Sequence, residues 1–213
     1  MVDRQRGPAE APNLGEPSAP RPAASVVLLR RGGKHSARAL EVLLLKRTSR
    51  AKFMPGVWVF PGGAVDPEDG EGDAAHRACA VRELTEEAGI ALPADEELVL
   101  FSHWITPEVV SRRFDARFFL ALAPAHSPPQ PDGVETTEAG WFEPRAALAA
   151  QDAGEMALAF PTVRQLESLL PFPTAAEAIA AHRGLAVEAI LPKVIGTAED
   201  HRVVLPGDPA YPE

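Results

Sequence analysis

Short apolar runs, separated by stretches rich in glycine, proline and acids, set the pattern along this chain of 213 residues. Residues 25–29 and 41–45 are dense in Val and Leu and flank a polar, glycine-containing stretch at 30–39, which predicts a hairpin. Trp58-Val59-Phe60 predicts a third strand, halted by Pro61-Gly62-Gly63, where two glycines permit backbone geometries closed to other residues. An acidic loop follows over 64–73, and then a helix is predicted over 74–88, with Gly89 in the C-terminal capping position. Residues 98–104 and 114–122 read as strands, 124–132 as a Pro-rich surface loop, and Gly140-Trp141-Phe142 as part of another strand. Helical spacing returns at 145–150, 162–170 and 175–182. Strands and helices interleave without a strict βαβ rhythm, so the expected class is α/β with a mixed sheet covered by helices. The predicted division is a flexible leader over 1–22, a core over 23–150, helices over 151–190 packed on that core, and an extended tail over 191–213.

Composition narrows the functional classes. A formal net charge of -9 argues against a broad electrostatic grip on nucleic acid, which rests on basic patches. No stretch reaches the roughly 18 uninterrupted apolar residues that a membrane helix needs, so neither nucleic acid nor membrane is an expected partner. Cys79 is the sole cysteine, which excludes an intrachain disulfide, fits a reducing cytoplasm and reads as a small helix residue rather than a nucleophile. The first 24 residues lack the apolar segment of a signal peptide and read as a mobile leader, and deleting residues 1–20 should leave melting nearly unchanged; the cytoplasm is the default location.

The informative run is Arg82-Glu83-Leu84-Thr85-Glu86-Glu87-Ala88-Gly89-Ile90. On a helical wheel Glu83, Glu86 and Glu87 share a sector of about 100°, with Ala78, Val81, Thr85 and Ala88 opposite, which predicts that the latter face packs. Carboxylates at neighbouring helical positions repel one another, and a divalent cation relieves that cost. Hard oxygen donors suit Mg²⁺ or Mn²⁺ completed by water and phosphate oxygens. The strand, Pro-Gly-Gly turn and acidic loop before the helix place these groups at one end of a sheet, where α/β proteins tend to bind ligands.

This run resembles the box of the Nudix hydrolase family: a glycine, five residues, a glutamate, seven residues, then Arg-Glu-apolar-any-Glu-Glu-any-Gly-apolar. Arg82, Glu83, Leu84, Glu86, Glu87, Gly89 and Ile90 match every fixed position of its second half. Counted from Gly63, the acidic position falls on Asp69, and twelve residues rather than seven separate it from Arg82, a five-residue insertion. The resemblance covers roughly residues 23–150 and implies a Nudix-type α/β/α sandwich that cuts a diphosphate bond. It further implies Glu83, Glu86 and Glu87 as metal ligands, with the carbonyl of Gly62 or Gly63 as a further oxygen. Glu83, Arg82 and Glu86 would carry catalysis, Arg82 by orienting the carboxylates. Glu83 is the first choice of general base, and Glu135 and Glu138 are the loop alternatives.

A second pattern precedes the box: Leu43-Leu44-Leu45-Lys46-Arg47-Thr48, then Lys52, Gly56 and Phe60-Pro61-Gly62-Gly63. It is similar to the signature of the coenzyme A diphosphatase branch, with Leu45, Thr48 and Lys52 in place of that signature's Thr, Ser or Ala, and Arg. Trp104-Ile105-Thr106-Pro107 and Arg112-Arg113-Phe114-Asp115 resemble the bacterial relatives of the peroxisomal acyl-CoA diphosphatase, which share an expanded loop. The resemblance implies coenzyme A or acyl-CoA as substrate, yielding 3′,5′-ADP and a phosphopantetheine product. Arg47 and Lys52 would receive the 3′-phosphate, and Phe60 and Arg113 complete the expected substrate contacts, with Arg117 as a further candidate. ADP-ribose or another nucleoside diphosphate derivative is the nearest alternative, and a non-catalytic nucleotide-binding module the next; a homodimer is left open. His76, His103 and His182 lack the spacing of a zinc site, and Trp104 and Trp141 are expected in the core.

Overall fold

The computed structural model describes residues 15–31, 39–51, 53–196 and 201–212. At its centre lies β1 (Arg21–Arg31), whose side chains alternate between two buried layers as the pleat of a doubly covered strand requires. Val27 and Leu29 enter one layer, while Ala24, Val26 and Leu28 enter the other. β6 (Phe114–Leu122) runs parallel to β1 along one edge, in register from Arg21↔Phe114 to Leu29↔Leu122. The other edge of β1 is shared. β2 (Leu40–Arg47) pairs antiparallel with Leu29–Arg31, and the short β4 (Gly62–Ala64) pairs antiparallel with Ala23–Ser25. β3 (Trp58–Val59) and β7 (Thr136–Phe142) both pair with β2, and β5 (Val99–Ile105) pairs with β6. The sheet is mixed, as the interleaved pattern predicts.

One face carries α1 (Gly72–Ala88), against Leu28, Leu43, Leu45 and Phe119. The other carries α2 (Pro144–Asp152), α3 (Phe160–Leu169) and α4 (Ala175–His182), against Leu29, Leu44, Trp104 and Leu120. The result is an α/β/α sandwich. Trp104 is buried in the second layer, and Trp141 packs half-buried against the first. No helix among the described residues is long and apolar enough to cross a membrane.

Two regions differ from the expected pattern. The tail is not one extended strap: just before it β8 (Ala189–Ile190) joins the main sheet parallel to His103–Trp104 of β5, and within it β9 (Lys193–Gly196) pairs with β10 (His201–Val204) as a hairpin. Ile190, Val203 and Leu205 pack on the core, so a few apolar positions dock a segment whose Pro and Gly content reads as irregular. At the other end, strand structure begins at Arg21, inside the expected leader, of which residues 1–14 lie outside the described residues. The buried Arg113 side chain donates from Nη1 to the Ser18 carbonyl (2.7 Å) and from Nε to the Thr106 carbonyl (3.0 Å). Residues 15–20 therefore have a structural part. Deleting residues 1–20 removes one acceptor of a buried cation, a loss of about 1–3 kcal/mol, and should lower Tm on the order of 5 °C. Deleting 1–14 keeps the Ser18 bond; thermal melts of the two truncations should differ, and equal melts would show that the Arg113 bond contributes nothing.

Candidate active site

Backbone proximity builds the floor of the site. β4 lies so close to β1 and α1 that a Cβ on Gly62 would stand 2.0 Å from Ser25 Oγ and 2.5 Å from the Ala24 carbonyl oxygen. A Cβ on Gly63 would stand 2.3 Å from Glu83 Oε1. Neither glycine has a positive φ, so the two are required by close approach rather than by the unusual backbone geometry that their pairing in the sequence suggests.

α1 ends where expected, with Gly89 left-handed (φ 65°) and its N–H donating to the Thr85 carbonyl at 3.0 Å. Its packed face is not the one expected. Ala75, Cys79, Ala80, Leu84, Glu87 and Ala88 are buried, whereas Ala78 and Thr85 are exposed. Small residues at 75, 79, 80 and 88 let the helix approach the sheet closely, and the approach carries Glu87 into the interface.

The three helix carboxylates consequently occupy different environments. Glu87 is 4 % exposed, and its Oε2 accepts the Gly62 N–H at 2.9 Å. Burial pushes its proton affinity up to about 8, with the negative charges of Glu83 and Glu135 adding to the shift and the Gly62 N–H and the Arg47 charge opposing it. Glu83 is raised for the same first reason, burial, against the pull of Arg82. Glu86 is exposed at the outer rim.

Arg82 ties these groups together. Its Nε and Nη2 grip the two oxygens of Asp69 (3.0 and 2.9 Å), while Nη1 donates to Glu83 Oε1 (2.9 Å) and Glu86 Oε2 (3.0 Å). Nη2 also reaches the Ala64 carbonyl at 3.2 Å. Asp69, at the end of a 3₁₀ turn over Pro67–Asp69, accepts the Asp66 N–H at 2.9 Å, and its carboxyl is held below the usual range chiefly by Arg82. The inserted loop thus folds back to present an acid to Arg82 despite its added length. Cys79 is fully buried beneath, 3.6 Å from the Gly63 carbonyl and 3.4 Å from the Ala64 carbonyl, and burial pushes its thiol up to about 12. It is no nucleophile at neutral pH.

The remaining expected site residues divide. Arg47 stands at the end of β2 with Nε donating to the Phe53 carbonyl (3.0 Å), close enough for its charge to act on Glu87. Lys52 lies outside the described residues. Phe60 is 3 % exposed and meets Phe118 edge-on in the core, and Arg113 spends its guanidinium on backbone carbonyls. Arg117 pairs with Asp73 near the start of α1, and Asp115 with His103. Glu135 and Glu138 part company. Glu135 is exposed and its charge reaches both Glu83 and Glu87, whereas Glu138 pairs with Lys46 Nζ at 2.7 Å beside a cavity of about 660 Å³ lined also by Trp58, Phe142 and Met156. A turn at Asp132, signalled by Asp132-Gly133 but not singled out from the sequence, connects Glu135 to α1.

Among the described residues no three His, Cys, Asp or Glu side chains form a closed metal cage; Glu83 and Glu86 are bonded to Arg82, and Glu87 to the Gly62 N–H. The donors around the site are all oxygens, two of them on desolvated carboxylates that repel each other, which fits a hard divalent cation.

Comparison with known proteins identifies the family. The family described as NUDIX domain matches residues 19–163. Putative nudix hydrolase 7 of Caenorhabditis elegans is 33% identical over 162 residues, covering 60% of this chain but only 55% of its own length. Acyl-coenzyme A diphosphatase NUDT19 of Xenopus laevis is 26% identical, covering 81% of this chain and 72% of the relative. The crystal structure of a NUDIX hydrolase from Alicyclobacillus acidocaldarius superposes with a TM-score of 0.70 at 25% identity, covering 79% of this chain and 99% of that one. The family match over about two thirds of the chain and the shared fold agree: the chain belongs to the NUDIX domain family, that of the Nudix hydrolases.

Proposed function

We propose that the protein is a divalent-metal-dependent diphosphatase acting on coenzyme A or an acyl-CoA, releasing 3′,5′-ADP and a 4′-phosphopantetheine product. The observation that carries the reading is the pair Glu83 and Glu87, both desolvated against the Gly62–Gly63 backbone, with the Arg47 charge acting on the same pocket. The names of the NUDT19 relatives support the substrate class.

Glu83, Glu86, Glu87 and the Gly63 carbonyl would hold Mg²⁺ or Mn²⁺. These residues would thereby supply the charge neutralisation of the diphosphate and the activation of a water that a divalent cation brings. Arg82 keeps Glu83 and Glu86 in place through charge-assisted bonds and is itself anchored by Asp69. Glu83 and Glu135 are the two candidates to take the proton of the attacking water. The geometry favours Glu135, because Glu83 Oε1 already accepts from Arg82 while Glu135 is exposed beside the pair. Arg47, with Lys52 nearby in sequence, supplies positive charge for the 3′-phosphate.

A screen of diphosphate substrates with Mg²⁺ and Mn²⁺, products resolved by mass, tests the reaction and substrate class together. In the same assay Arg47→Ala should raise KM for coenzyme A roughly tenfold to a hundredfold, the worth of one charge-assisted bond, and leave KM for the dephospho form within about threefold. The comparison cancels any influence of Arg47 on Glu87. Equal effects on the two substrates would remove the 3′-phosphate contact.

A further inference from the structure

Asp132 collects an unusual number of donors for an exposed carboxylate. Its Oδ1 accepts the N–H groups of Val134 (3.2 Å), Glu135 (3.1 Å) and Thr136 (2.8 Å), and its Oδ2 a second bond from the Glu135 N–H (3.1 Å). The Thr136 hydroxyl, with a single proton, lies 2.9 Å from Asp132 Oδ1 and 3.1 Å from the Glu87 carbonyl oxygen. The Gly133 N–H closes the turn onto the Thr136 carbonyl at 2.9 Å. Two further bonds moor this turn. The Gln130 N–H donates to the Ala88 carbonyl of α1 (2.8 Å), and the Glu135 carbonyl accepts the N–H of Thr48, the residue after Arg47 (2.8 Å). A turn of five residues thus connects the end of the carboxylate helix with the end of the Arg47 strand, and Glu135 stands at its exposed tip.

We propose that Asp132 is a positioning residue for the hydrolysis, holding the backbone at Glu135 so that its carboxylate stays over the Glu83 and Glu87 pair. The inference rests on the reading of Glu135 as base. Without an acceptor at position 132, three consecutive N–H groups lose their common partner and the turn opens at the residue it exists to place. Glu135 then samples positions away from the attacking water, and a displacement of about 1 Å costs on the order of a hundredfold in rate. Arg47 keeps its own hold through the Nε bond to the Phe53 carbonyl, so the loss falls on kcat.

The test uses the full chain and four variants, followed by turnover, melting and amide exchange. Asp132→Ala should lower kcat about thirtyfold to a hundredfold with KM within threefold, and should unprotect the amides of Val134, Glu135 and Thr136. Asp132→Asn, which keeps Oδ1 as an acceptor, should return kcat to within about tenfold of wild type. Glu135→Gln should lose at least a hundredfold, and adding Asp132→Ala to it should cost less than a further threefold. A kcat retained in Asp132→Ala while Glu135→Gln is inactive overturns the positioning role and leaves the base in place. A kcat retained in Glu135→Gln removes the base and with it the role of Asp132. Should the alanine variant not fold, Asp132→Ser, whose shorter hydroxyl accepts more weakly, should give a kcat between those expected of alanine and wild type with the same amides partly unprotected, and an unchanged kcat and exchange there would overturn the positioning role.

Discussion

Glu83→Gln is expected to lower the kcat of Mg²⁺-dependent diphosphate hydrolysis by roughly 10³-fold, within the range that loss of a charge-handling group in an active site brings, without lowering Tm. The two halves of this expectation have one cause. Glu83 is raised chiefly by burial, and its charge in turn raises Glu87, so the folded chain bears a cost for holding both carboxylates on one wall. A glutamine keeps an oxygen for the Arg82 Nη1 bond while removing that repulsion. Activity by product assay and Tm by circular dichroism decide the matter together. Full activity would remove Glu83 from the chemistry; lost activity with a fall in Tm of more than about 5 °C would mean that the carboxylate is there for the fold.

Glu87→Gln should flatten the dependence of stability on pH. The Glu87 carboxyl titrates near 8 in the folded chain against an ordinary value of 4.5. Between those values the folded state holds a proton that the unfolded state has released, so unfolding free energy falls as pH rises across that window and levels off above it. The cumulative loss is on the order of a few kcal/mol. In metal-free buffer, wild type should therefore lose stability from pH 5 to pH 8, and the Gln variant should lose distinctly less. Millimolar Mg²⁺ should restore the wild type at pH 8, because a ligand that binds only the folded state adds RT ln(1 + [L]/Kd), and should do little for the variant. Parallel pH profiles for the two proteins would show that Glu87 is not buried as a high-affinity proton acceptor.

Much of the architecture was readable from period and punctuation. The apolar run over 25–29 predicts a strand, and the Glu-rich run capped by Gly89 predicts the helix that carries the site, while the covering of that strand on both faces emerges from the fold. The packed face of that helix was not readable. Alanines at 75, 78, 80 and 88 give no signal as to which will be covered, and the choice falls to the close seat of β4 beneath the helix. Glu87 is thereby drawn inward, although the wheel places it with Glu83 and Glu86 opposite the face expected to pack. Motif spacing brings Phe60 and Arg113 near the substrate signature, but spacing along a chain does not reveal orientation: the pleat turns Phe60 into the core, and Arg113 meets the carbonyls of Ser18 and Thr106. The tie between Asp69 and Arg82 crosses a lengthened loop and could be settled only by its closure. Glu135 and Glu138 differ by three positions, yet the ion pair with Lys46 takes Glu138 away from α1.

The docking of β8 along β5 has a consequence for how the chain is made. A strand boundary that faces water offers ready hydrogen-bonding groups to any extended peptide nearby. During synthesis, residues 99–105 leave the ribosome well before residues 189–190, so this side of the half-built sheet waits uncovered for some eighty residues of translation, several seconds at ordinary elongation rates. Nascent molecules should be most prone to sticking to one another in that interval, and ribosome-bound fragments ending before residue 189 should recruit more chaperone than those carrying the completed edge.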